Sequence, residues 1–257
     1  MLASAMTLLW TRAGDRFMSS IIYTTLLIAL GLLPSFVWLV FYTREDFRHP
    51  EPKRLIASTF FLGGLATFFV LPVQLLINRN LEALSVSQYS FTSFLALGFV
   101  EELFKFAVVY FFIHKTLAFD EPLHAMIYMI VSGLGFAAAE NIASLYQAAG
   151  GSLFQVAVAE TLTMRFVGAT LLHSIASGIV GYFWALAFIK GSRSFVLKHG
   201  KEFSLVSIGL LTATVLHATF NYLIITSGPA RFAILFLVIV TFILLHDFEK
   251  FKQEDFA

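Results

Sequence analysis

Apolar runs of about 20 residues, separated by short charged segments, recur along this chain and limit what it can fold into. A helix rises about 1.5 Å per residue, so each run is long enough to cross a hydrocarbon layer of about 30 Å. Inside that layer every backbone N–H and C=O must find its partner within the protein, which makes helices the reading for runs of this length. The windows are 20–42, 55–77, 91–113, 123–148, 165–189, 203–226 and 230–247. The expected fold class is all-α, a polytopic membrane helix bundle of about 7 transmembrane helices. Composition agrees, because 58% of residues are hydrophobic and only 13% are charged, against about 25% charged in soluble domains. A net charge of +1 gives no case for nucleic acid as a partner, so the bilayer is the first partner implied. With no cysteine, disulfides and thiolate chemistry are excluded, and any metal would be held by His, carboxylate or amide groups.

The expected organisation is a leader over 1–19, one transmembrane domain over 20–247 with its motif core at 91–226, and a C-terminal cytoplasmic tail over 248–257. The leader reads as disordered or interfacial, and Met18 is an alternative start. Gly150-Gly151-Ser152 breaks the chain after the fourth span. Segment 153–164 reads either as an interfacial helix or as an extension of the fifth, and Gly228-Pro229 makes a tight turn between the last two. There is no internal repeat.

Loop charges give an orientation. Arg44, Arg48, Lys53, Arg54, Lys115, Lys190, Arg193, Lys198, Lys201, Lys250 and Lys252 fall on one side; Arg12, Arg16, Arg79, Arg165 and Arg231 fall on the other. The expected placement is an integral plasma-membrane protein with its N-terminus outside and its C-terminus cytoplasmic.

Ionisable residues interrupt four of the spans. An Asp or Lys at mid-bilayer costs about 2.5–3.5 kcal/mol on the insertion scale, so such groups face a wet or paired interior and mark functional sites by default. The third span carries Glu101-Glu102-Leu103-Phe104-Lys105. Glu101 and Lys105 are i,i+4 neighbours that can pair, and Glu102 lies about 100° round the helix. The fourth span carries Glu140-Asn141 behind the small residues Ala137 to Ala139. The fifth has Arg165 at its outer edge, then His173 and Ser177 one turn apart; the sixth has His217 and Asn221 one turn apart. With the orientation above, all of these fall between the midplane and the outer face. Scattered packing residues have no reason to share a depth.

Two chemistries suit this set. Catalytic zinc takes three protein ligands and leaves one position for water; His173, His217 and Glu140 would suffice, with another glutamate as base. Alternatively, a glutamate activates water while His and Asn donors stabilise the oxyanion. No HExxH is present. Two non-protease readings are also open. One is an ion- or proton-coupled transporter, in which Glu, His and Lys form a relay. The other is a non-catalytic scaffold or immunity-type membrane protein, in which the polar core serves packing and docking.

Taken in order on consecutive helices, Glu101-Glu102-xx-Lys105, Phe136-xxx-Glu140-Asn141, Arg165 with His173 eight residues on, and His217-xxx-Asn221 resemble the PrsW family of intramembrane proteases. That family sits in a superfamily with type II CAAX prenyl proteases, ABI immunity proteins and Aph-type proteins. The resemblance covers about 95–225, a polar four-helix core. It implies a membrane-embedded endopeptidase that cuts a membrane-anchored protein substrate, such as an anti-sigma factor, on its extracytoplasmic side. It also implies that Glu101, Glu102, Glu140, His173 and His217 form the site, with Lys105, Asn141, Arg165, Asn221 and Ser177 supporting it.

Overall fold

The structure, a computed structural model, describes the backbone of residues 2–45, 51–149, 154–191, 200–226 and 231–254. Among the described residues eight α-helices follow one another: α1 (Leu2–Glu45), α2 (Lys53–Ala83), α3 (Phe91–Phe112), α4 (Pro122–Ala149), α5 (Phe154–Met164), α6 (Thr170–Gly191), α7 (Gly200–Thr226) and α8 (Arg231–Glu254). A π-helical turn, Arg165–Ala169, joins α5 to α6 without a break. No strand occurs among the described residues. Within segment 153–164, residues 154–164 are thus an extension of the fifth span, which runs as one apolar helix over Val158–Ile189. The expected breaks at Gly150-Gly151-Ser152 and Gly228-Pro229 lie outside the described residues.

Among the described residues five helical stretches are long and apolar enough to cross a membrane: Ile21–Arg44, Lys53–Ala83, Pro122–Ala149, Val158–Ile189 and Ser204–Thr226. α3 has the length of a span at 22 residues, but Glu101, Glu102 and Lys105 interrupt it. The apolar part of α8, Phe232–His246, is shorter. Large apolar side chains point outward, among them Phe61, Phe68 and Phe242, each about two-thirds exposed or more (69%, 72% and 69%). Such a surface would be a liability in water; on an integral membrane protein it is the lipid-facing girdle.

α4 is the axis of the bundle. Every residue from Leu123 to Ala138 is buried, as expected of a helix apolar all round. Small residues let its neighbours approach. Gly63 of α2 lies on the Ser132 backbone, and Gly135 of α4 lies on the Phe60 carbonyl of α2. On the other side, Gly181 of α6 lies against the Met126 backbone. Any Cβ at these three positions would overlap backbone, which cannot yield as a side chain can. α3 starts at an ordinary cap, with Ser90 Oγ accepting from the Ser93 N–H at 3.2 Å. α3 and α6 pack against α4, α7 lies across α3 and α6, and it is among these helices that the polar residues meet.

Candidate active site

Lys105 is the centre of the cluster. It is wholly buried, and its ammonium donates to Glu102 Oε1 and to His173 Nδ1, both at 2.7 Å. It also lies 4.6 Å over the Phe136 ring. Glu101 Oε2 is farther from it, at 3.9 Å. The close partner of Lys105 is therefore Glu102 at i,i+3, not Glu101 at i,i+4. The reason is that Glu101 is drawn the other way, its Oε1 accepting from Gln74 Nε2 of α2 at 2.8 Å.

His217 enters from α7. Its Nδ1 is 2.9 Å from Glu102 Oε1, and its Nε2 is 3.5 Å from Glu101 Oε2. The His173 and His217 rings stand edge to face with centroids 5.2 Å apart. His173 Nε2 is 2.9 Å from Glu140 Oε2, and Arg165 donates to the same oxygen at 3.3 Å. Arg165 also donates to the Glu140 backbone carbonyl at 3.3 Å and to Ser144 Oγ through Nε at 3.1 Å.

The π turn makes this possible. Eight residues of plain α-helix would set Arg165 and His173 about 80° apart. A π turn widens the helix locally and rotates Arg165 back toward the face of His173, so both reach Glu140. Single π turns often sit at functional sites.

All five expected site residues thus converge: Glu101, Glu102, Glu140, His173 and His217. Of the supporting set, Lys105 and Arg165 join them directly. Asn141 donates to Thr170 Oγ1 at 2.9 Å, which ties α4 to α6 beside the cluster. Ser177 stays outside it, buried against Gly133 of α4. Asn221 is half-buried and makes no side-chain hydrogen bond among the described residues. Gln74, Ser144 and Thr170 are contributors that sequence reasoning missed. Gln74 left a readable trace, a lone amide inside the apolar run Phe68 to Ile77. Ser144 and Thr170 left none, since hydroxyls are common in membrane helices.

The charges do not balance within the protein. Three carboxylates (Glu101, Glu102, Glu140) face two fixed cations (Lys105, Arg165), leaving one negative charge for a proton or a cation to offset. Glu101 Oε2 and Glu102 Oε2 are buried without a hydrogen-bond donor, and a buried carboxylate oxygen in that state is costly. Ligand atoms of Glu101, His173 and His217 all lie within 4.8 Å of one another. That donor set, the orphaned Glu101 oxygen and the excess negative charge all fit a divalent cation of the zinc type. The carboxylate that groups with both histidines within that distance is Glu101; Glu140, which the sequence suggested, lies 2.9 Å from His173 Nε2 and beside Arg165.

Residues 51–246 match the family model described as PrsW family intramembrane metalloprotease, well over half of the chain. The chain belongs to the PrsW family. Protease PrsW of Geobacillus kaustophilus is 28% identical over 199 residues, 77% of this chain and 80% of that protein. Protease PrsW of Bacillus subtilis is 24% identical over 199 residues, 77% and 82% of the two chains. That of Clostridioides difficile is 22% identical over 218 residues, 85% and 86%. No solved structure matches. Membership decides among the readings the residues left open: this is a membrane protease rather than a transporter or an inert scaffold. The matched segment contains every residue of the cluster, Gln74 included.

Proposed function

We propose that this protein is an endopeptidase that hydrolyses a peptide bond of a membrane-anchored protein in the outer half of the plasma membrane, using glutamate-activated water. The observation that carries this reading is the convergence of Glu101, Glu102, His173 and His217, with one oxygen of each glutamate left without a donor. The loop charges favour an outside N-terminus and a cytoplasmic C-terminus, which sets the cluster toward the extracytoplasmic side. A membrane-anchored anti-sigma factor is one substrate consistent with that side.

Roles follow from geometry. Glu101, His217 and His173, the last through the Nδ1 that Lys105 would have to release, would hold a zinc ion, which when bound supplies polarisation of the scissile carbonyl and a more acidic water. Glu102 takes the proton from water at Oε2, because Lys105 and His217 both occupy its Oε1. The water oxygen bonds to the carbonyl carbon, and the proton passes to the amide nitrogen as the C–N bond breaks. Glu140 orients His173 through Nε2, and Arg165 holds Glu140 in place. The buried walls exclude bulk water, which strengthens each of these interactions.

The test is cleavage of a single-span substrate in proteoliposomes, with zinc measured on the same purified samples. His173→Ala and Glu101→Gln are expected to lose both bound zinc and cleavage while keeping the helical spectrum. Full cleavage by both variants would remove the proposal; cleavage by a wild-type protein that binds no zinc would favour glutamate and water alone.

A further inference from the structure

α3 and α7 touch in one half of their length and part in the other. Phe91 and Phe94 of α3 both pack edge-on against Tyr222 of α7. A Cβ on Gly98 would lie 3.4 Å from His217 Cγ, so nothing fits between the helices at that level. Beyond it a cleft of about 490 Å³ opens, walled by Phe99, Leu103, Phe106 and Tyr110 on α3 and by Leu210 and Leu211 on α7. Its walls are almost wholly hydrocarbon and aromatic. Phe99, Leu103 and Leu211 are exposed, so the cleft is open to the side, toward lipid.

Both walls lead to the reacting groups. Glu102, Phe106 and Tyr110 are spaced by four residues and share one stripe of α3. Leu210 and His217 are seven residues, two turns, apart and share one stripe of α7. The stripes meet where Glu102 Oε1 and His217 Nδ1 are 2.9 Å apart. Another groove, about 440 Å³ and lined by Phe36, Phe60 and Ile127 among others, does not reach them. Its α2 wall stops at Phe60, and Gln74, the α2 residue that touches Glu101, lies about 21 Å farther along the helix.

We propose that the α3–α7 cleft receives the transmembrane helix of the substrate, seated with its outer end next to the buried Glu102–His217 contact that closes the cleft. This rests on the protease reading above. The occupant has to be helical: an extended peptide in a hydrocarbon cleft would leave its backbone groups unsatisfied. The wall from Phe99 to Phe111 spans about 18 Å, enough for about 12 residues of such a helix. A peptide bond becomes open to attack only where its carbonyl has left the helical ladder.

The chain contains no cysteine, so single cysteines can be placed without altering other positions. Full-length protein carrying Cys at Ala107 or Leu211 in the cleft, or at Ala57 in the other groove, is reconstituted with a single-span substrate bearing one Cys in the inner half of its span. Oxidation is expected to cross-link positions 107 and 211 to the substrate and to spare position 57. In parallel, Ala107→Trp and Ser207→Phe, which fill the cleft, are expected to lower kcat/KM for that substrate at least tenfold. Cross-linking from position 57 alone, or from no position, with cleavage intact overturns the cleft as the docking site and leaves the protease reading standing; in the second case lipid is its occupant. Unchanged kcat/KM in both filled variants overturns it as well. Cross-linking at 107 and 211 without cleavage by the unsubstituted enzyme would keep the docking surface and contradict the protease reading.

Discussion

Glu101 and Glu102 are neighbours in sequence with opposite surroundings. Glu102 is sealed off, with Lys105 and His217 on one oxygen. Glu101 is slightly exposed, braced by Gln74 and aimed at His217. Two substitutions separate these surroundings. Lys105→Met leaves Glu102 as an uncompensated buried charge, which should destabilise the protein by about 3–5 kcal/mol. Thermal unfolding in detergent would show this as a large downward shift, and an unchanged transition would mean that Lys105 is not the counter-charge. Gln74→Leu removes only the brace on Glu101, a hydrogen bond to a charged group worth about 1.5–3 kcal/mol. It is expected to lower kcat/KM about tenfold or more, with a smaller downward shift of the unfolding temperature than Lys105→Met; unaltered kinetics would mean that Glu101 is positioned by other groups. At this scale the ionisable residues were readable from sequence because the bilayer makes each of them expensive. The pairing of Lys105 with Glu102 was not, since i,i+3 and i,i+4 partners are equally available on a helix and the choice was made by Gln74 from another span.

The elements carry information that spacing alone does not. Spans were legible because their apolar runs match the membrane thickness, and the central place of α4 follows from its burial from Leu123 to Ala138. The π turn was not legible: nothing in Arg165-Phe166-Val167-Gly168-Ala169 marks a widened turn. Its effect resembles a one-residue insertion: deleting Val167 would set Arg165 and His173 seven α-helical residues apart and keep both on one face, whereas adding one alanine after Val167 should turn Arg165 about 100° away from His173. In that insertion variant cleavage is expected to fall at least a hundredfold with the far-ultraviolet circular dichroism unchanged. Wild-type activity in the insertion variant would show that Arg165 and His173 need not share Glu140. Gly135→Val tests the close approach of α2 and α4: a side chain there meets the Phe60 carbonyl. Loss of folded protein in detergent is the expected outcome, and a stable, active variant would contradict that packing.

For the molecule as a whole, the sequence showed a membrane bundle with its polar motifs at one depth, and the helices bring those motifs together. The contribution of α2 to the site could not be read, because a single amide in an apolar run is inexpensive enough to need no function. The cleft between α3 and α7 depends on two helices diverging, which no local pattern encodes. The account as a whole stands on one claim, that a glutamate of the buried Glu102–His217–Lys105 group moves the proton in peptide-bond hydrolysis. Glu102→Gln keeps the shape of the side chain and removes its ability to take a proton. In proteoliposomes with a single-span substrate, it is predicted to slow cleavage by about 10²–10⁴-fold while the protein stays folded and binds substrate. Cleavage at the wild-type rate by that variant would contradict the account.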